Sequence, residues 1–356
     1  MRFSRAVAIV GGLTLTVGLG SFVGVFFSAF RPLSSGPKVT AVVLVERRQP
    51  PAEITRVLRE KGIVSDSAQF IKIGRYFRKW GKIKAGEYLL ASDMTPLAAF
   101  GVLTSGVSMA RVFTVREGLN LYEIGDAMEA AGLAGPDEFA KLCQDARFVA
   151  KLWGMFKLPP PAPPRLEGYL FPDTYHFNRT LSLEDMVTQM VRKFATVYLP
   201  EWDALGAALH LKRHEIVTLA SMIEKETGAP SERPMISSVF HNRLRKRMKL
   251  QSDPTTIYGI WDRYDGNIHK RDLLHPTPYN TYTVPALPIG PISNPGREAL
   301  WAAVHPATSE FLFFVSHNDG THEFTRSFKD HEAAVRKFQL DPKAREGKSW
   351  RDLKKK

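Results

Sequence analysis

The chain has 356 residues, 44% of them hydrophobic, which suffices for one large or two to three modest domains with real cores and excludes disorder as its general state. Its 49 lysines and arginines against 36 aspartates and glutamates leave a net charge of +13, yet no nucleic-acid reading motif accompanies that charge, so no nucleic-acid partner is expected. The single Cys143 excludes an intramolecular disulfide and, within DEFAKLCQDARF, reads as a core thiol on a helix face.

At the N-terminus, Arg2 and Arg5 precede a charge-free stretch over residues 6–30, long enough to cross a hydrocarbon core of about 30 Å. It is longer than a signal-peptide apolar region and no A-x-A site stands before Arg31, so an uncleaved single-pass anchor is expected. The arginines assign residues 1–5 to the cytoplasm and the rest of the chain to the periplasm or cell exterior, with the cytoplasmic (inner) membrane as the site of anchorage.

Residues 38–157 form a membrane-proximal region with a weak internal repeat. LVERRQPPAEITRVLREKGI and TVREGLNLYEIGDAMEAAGL align without a gap, and each reads strand, turn, amphipathic helix, glycine stop. A second helix in DSAQFIKIGRYFRKW and a strand in KAGEYLL make residues 39–92 a β-α-α-β unit. A helix over MTPLAAFGVLTSG leads into the second copy, which continues through PDEFAKLCQD. Prolines at 158–164 mark a stiff connector. Beyond it, at 165–340, helical periodicity over LEDMVTQMVRKFATVY, HEIVTLASMIEKETG and PMISSVFHNRLRKRM, with a hairpin around HNDG, predicts a mainly helical domain with a small β element. Residues 341–356 read as a basic tail, and the fold class is α+β.

The stretch LASMIEKETG raises the question of chemistry. On a helix advancing about 100° per residue, Glu224 lies over Val217 and Ala220 while Glu226 lies over Leu219 and Met222, so the two cannot act as an acid/base pair on one bond. Glu224 follows an apolar surface and sits at the negative end of the helix dipole. Both conditions favour a neutral carboxyl, which general-acid cleavage of a glycosidic bond requires. The bland alternative makes both glutamates solvated charges in a fraying turn. Downstream, LQSDPTTIYGI offers Asp253 as a helix N-cap, and the loop HPTPYNTYTVPALPIGPISNPG supplies amides and flat rings suited to a sugar polymer. His210 and His214 stand four apart but lack the glutamate of H-E-x-x-H, so no metal and no cofactor is expected.

These segments, EGYLFPDTY, ASMIEKETG, SVFHNRLRKRMKLQSDPTTIYG, PYNTYTVPALPIGPISNPG and ALWAAVHPA, in this order behind one membrane span, resemble the endolytic murein transglycosylase family, also called YceG-like. The resemblance implies a LysM-like subdomain in the β-α-α-β unit and a lysozyme-like catalytic domain. It implies cleavage of peptidoglycan between N-acetylmuramic acid and N-acetylglucosamine without water, leaving a 1,6-anhydro end. Glu224, the first glutamate of the E-K-E motif, is the implied catalytic acid. Gln251 and Asp253 in LQSDPT, and Asn280 with Tyr282 in YNTY, match segments expected to line the glycan cleft. Glu167 and Glu226 also fall on family motifs, and Glu167 is the first candidate for a second carboxylate should the reaction be hydrolytic. Peptidoglycan synthases are the protein partners the family implies. A non-catalytic, wall-binding scaffold is the alternative.

Overall fold

The computed structural model describes residues 24–107, 111–177, 180–226 and 229–341. The expected span over 6–30 falls largely outside these residues, as do the N-terminal residues 1–5 and nearly all of the basic tail. Residues 24–28 are helical, and among the described residues no helix is long and apolar enough to cross a membrane. Helices and short strands are mixed, consistent with the α+β class.

Two compact units emerge, one of residues 1–112 with 176–182 and the other of residues 113–175 with 183–356. The first contains the expected β-α-α-β order: β1 (Thr40–Val45), α1 (Pro51–Glu60), α2 (Ser67–Tyr76) and β2 (Gly86–Ala91), followed by α3 (Pro96–Ser105). Each boundary has a local cause. Pro51 occupies the first turn of α1, where its missing N–H costs nothing, and Gly62 beyond its end takes φ +70°, open to a residue without Cβ. Asp66 caps α2 by accepting from the Gln69 N–H. In β1 the valines at 43 and 45 face inward, opposite Tyr88 and Gly86 of the antiparallel β2. The core closes around Phe70 stacked on Phe100, with ring centroids 4.5 Å apart, and Trp80 packs edge-on against both.

After β3 (Arg111–Thr114), whose last two residues open the second unit, α4 (Leu121–Ala130) begins with a reciprocal capping box between Asn120 and Glu123 and gives way to Gly132 at φ +64°. The repeat seen in the sequence is therefore a repeat of form: a strand, a ten-residue helix and a left-handed glycine in each copy. There follow α5 (Pro136–Cys143), α6 (Ala146–Met155), β4 (Thr174–Phe177), α7 (Leu183–Val197), α8 (Glu201–Ala208), α9 (Arg213–Glu226), α10 (Arg233–Arg245), α11 (Asp253–Gly259), α12 (Lys270–Leu274), α13 (Arg297–Val304), β5 (Phe313–Ser316), β6 (His322–Thr325) and α14 (Phe328–Val335). β5 and β6 form the expected antiparallel hairpin. The proline run at 158–164 lies inside this unit, pinned by the Trp153 indole N–H donating to the Pro159 carbonyl and by Leu158 N–H donating to Trp153. Cys143 is fully buried, as its helix face requires.

The centre of this unit is α9, in which every residue from Ile216 to Ile223 is buried. α10 and α13 pack against it. A helix so enclosed can expose chemistry only at its ends.

Candidate active site at the end of a buried helix

The last turn of α9 carries Glu224 and Glu226 into two different environments. The Glu224 side chain is 6% exposed; its Oε1 accepts from Arg233 Nη2 at 3.0 Å and its Oε2 accepts from the Gly296 N–H at 2.9 Å. Arg233 is the first residue of α10 and Gly296 the N-cap of α13, so both neighbouring helices deliver a donor to the same carboxylate. The sequence places only apolar surface around Glu224; the starts of these two helices, distant in the chain, supply the polar groups instead. Arg233 Nη2 also lies 3.7 Å from Glu117 Oε2. Its Nε is buried without a hydrogen-bond partner among the described residues.

The loops around Glu224 are held by a buried polar network. Gly118 N–H donates to the Asn294 carbonyl at 3.0 Å, Asn294 N–H returns a bond to Leu119, and Lys225 Nζ donates to the Gly118 carbonyl at 3.1 Å. Glu167 is at its centre. Its Oε2 accepts from Leu121 N–H at 2.9 Å and from the Tyr258 hydroxyl at 2.8 Å, and its Oε1 accepts from Asn294 Nδ2 at 3.0 Å. Burial pushes this carboxyl up to about 7 against the pull of those donors. With no exposed surface, Glu167 ties together the start of α4, α11 and the loop at Asn294.

On the other side of the turn, Glu226 Oε1 accepts from the Ser252 hydroxyl at 2.5 Å. Burial pushes Glu226 up to about 7; the Ser252 bond opposes the shift, the Asp253 charge adds to it and Arg243 opposes it. Glu226 lines a cavity of about 380 Å³ together with Arg243, Gln251, Asp253, Tyr282 and the rings of Phe313, Phe314, Phe328 and His331. The Tyr282 hydroxyl donates to Asp253 Oδ1 at 2.6 Å. Asp253 is not the N-cap of α11. That position is Ser252, whose hydroxyl is engaged by Glu226, and Asp253 stands one residue inside the helix.

Thus Glu226, Gln251, Asp253 and Tyr282 share one cavity, Glu224 lies outside it, and Glu167 and Asn280 are interior. The Asn280 amide is consumed by its own loop: Oδ1 accepts from the Thr256 hydroxyl and the Tyr282 N–H, and Nδ2 donates to the carbonyls of Asp272, Leu273 and His275. The carbonyls at the end of α12 need such a donor, and Asn280 has no exposed surface. Arg233, Gly296 and Glu117 are the neighbours that sequence reasoning missed. The one visible signal was the Glu-Gly step in VREGLN, because Gly118 takes φ +77°.

A larger cavity, about 570 Å³, opens at the opposite end of α9 among His210, His214, Glu215, His241 and Ile289. His214 is engaged there by Tyr169, hydroxyl to Nδ1 2.9 Å, and burial holds its imidazole below the usual histidine range. Among the described residues no group of three or more histidines, cysteines or carboxylates is placed to hold a metal ion.

With this geometry in hand, comparison with known proteins gives a family. Residues 43–337 match the model of the YceG-like family. The chain belongs to the YceG-like family. Within it, a relative from Bacillus subtilis (strain 168) named endolytic murein transglycosylase is 31% identical over 326 residues, covering 87% of this chain and 88% of that one. A protein of the same name from Streptococcus pneumoniae (serotype 2, strain D39) is 25% identical over 331 residues; the match takes in 85% of this chain and 59% of the longer pneumococcal protein. A 2.6 Å crystal structure of a YceG-like protein from Listeria monocytogenes superposes with a TM-score of 0.57 at 29% identity, over 83% of this chain and 99% of that one.

Proposed function

We propose that this chain is an endolytic lytic transglycosylase that cleaves the glycan strands of peptidoglycan between N-acetylmuramic acid and N-acetylglucosamine, leaving 1,6-anhydro ends, with Glu224 as the acid. Its membership of a family whose relatives are named endolytic murein transglycosylases supports the activity. The observation that carries the mechanism is the pair of fixed donors on Glu224, the Arg233 guanidinium and the Gly296 N–H. Two-carboxylate glycosidases place their groups about 5 to 9.5 Å apart on either side of the bond. Here Glu226 leaves the helix on another side and Glu167 is buried, while Glu117 and Glu224 meet on one guanidinium, 3.7 and 3.0 Å from the same Arg233 Nη2.

One carboxyl suffices if no water is used. Glu224 gives its proton to the glycosidic oxygen as the C1–O4 bond breaks, with the 2-acetamido group assisting at the anomeric carbon. The muramic O6 then bonds to C1 and its proton returns to Glu224, so no atom is gained or lost. Arg233 and the Gly296 N–H hold the carboxylate that exists between these two transfers.

A second reading is favoured by one observation. Glu226, raised to about 7 and facing a cavity with Gln251, Asp253 and Tyr282, has the protonation that a general acid needs. In that reading Glu226 delivers the proton and Glu224 only joins helices. In the first, Gln251, Asp253 and Tyr282 bind glycan beside Glu226. Mass spectrometry of peptidoglycan digested by the chain tests the reaction class: anhydro-muramic ends are expected, and reducing ends would make it a hydrolase.

The β-α-α-β order of the first unit supports a LysM-like glycan-binding role there, and the buried helix carrying the acid is consistent with a lysozyme-like second unit. Residues 6–30 anchor the chain in the cytoplasmic membrane with its remainder outside, where it meets nascent strands beside the synthases and ends their growth. Glycan strands of unchanged length in cells whose only copy is a soluble exported form would contradict that role.

A further inference from the structure

Glu117 stands on the loop after β3, at a point fixed from two directions: the next residue, Gly118, is bonded through its N–H to Asn294 and through its carbonyl to Lys225. A Cβ on Gly296 would come within 1.9 Å of Glu117 Oε1, so the carboxyl rests against the N-cap of α13. Its side chain is 52% exposed, whereas that of Glu224, which shares Arg233 with it, is 6% exposed. Glu117 is therefore the solvent-facing member of a carboxyl pair on one guanidinium.

We propose that Glu117 is a positioning residue for the reaction: by drawing on Arg233 it keeps the guanidinium from serving Glu224 alone. The proposal rests on the reading of Glu224 as the acid. The charged groups facing Glu117 are Glu224 and Lys225 from α9, Arg233 from α10 and Glu298 from α13, with Arg116 on its own loop. Burial, then the charges of Glu224 and Glu298, hold the Glu117 carboxyl above the usual carboxylate range against Arg233. Removing one charge from a pair that shares a guanidinium changes the field at the other carboxyl.

The test is the pH profile of kcat/KM for anhydro-ended products, measured on wild type, Glu117→Gln and Glu117→Asp with purified peptidoglycan. Removing the charge is expected to move the basic limb down by about one pH unit, reducing the neutral-pH rate about tenfold, while KM and the melting temperature stay close to wild type. Glu117→Asp is expected to restore the limb in part. A Glu117→Gln profile that superimposes on wild type would overturn the proposal, as would a uniform loss at all pH values with no movement of the limb. Full turnover by Glu224→Gln would instead remove the acid assignment itself, whatever Glu117 does.

Discussion

Glu224 and Glu226 are two residues apart on α9, yet one meets a guanidinium and a helix N-cap while the other meets a serine hydroxyl and an aromatic-walled cavity. Helix geometry separates their directions, and the loops that arrive at each direction decide the chemistry. On the Glu224 side the partners come from helix starts, which supply fixed donors. On the Glu226 side a pocket remains open, and burial leaves a carboxyl that keeps its proton to about pH 7. This helix end therefore presents a set of fixed donors and an open cavity on separate glutamates.

The largest effects are expected in the network behind Glu224. Glu167→Ala strands three buried donors, the Leu121 N–H, the Tyr258 hydroxyl and the Asn294 amide, and at about 1–3 kcal/mol each is expected to destabilise the second unit by roughly 4 kcal/mol, read by urea unfolding. Arg233→Met leaves the enclosed Glu224 without its counter-charge; a cost of about 3 kcal/mol is expected by the same measurement, with loss of turnover. Ser252→Ala, which removes one hydroxyl from Glu226, should cost only about 1 kcal/mol and leave turnover within a few-fold of wild type.

pH sharpens the contrast. Glu167 and Glu226 hold protons up to about pH 7 in the folded chain, whereas the ordinary value is 4.5. Between those values the folded chain binds more protons than the unfolded one, so their contribution to stability is complete below about pH 4.5 and is lost as pH rises through about 7. Melting temperatures are expected to fall across that interval, and Glu226→Gln should make the fall shallower. An unchanged slope would mean that Glu226 is ionised in the folded chain.

Local signals were legible where a single segment determines its own structure. The β-α-α-β unit, both glycine stops and the β5–β6 hairpin follow from period, caps and turns within a few residues. So did the divergence of Glu224 and Glu226, which needs only 100° per residue. What surrounds Glu224 was not legible, because Arg233, Gly296 and Glu117 come from three segments whose meeting depends on how α9, α10 and α13 pack. For the same reason the burial of Asn280 and Glu167, polar residues beside aromatic ones, was not legible: a sequence shows polarity, and only packing shows which donors consume it.

The most direct measurement is the initial rate of anhydro-muramic product release at pH 7 by Glu224→Gln beside Glu226→Gln, both confirmed as folded by thermal melting. The account predicts that Glu224→Gln loses about two to four orders of magnitude while Glu226→Gln stays within about tenfold of wild type. The reverse pattern, an inactive Glu226→Gln with an active Glu224→Gln, would contradict it and move the acid into the cavity.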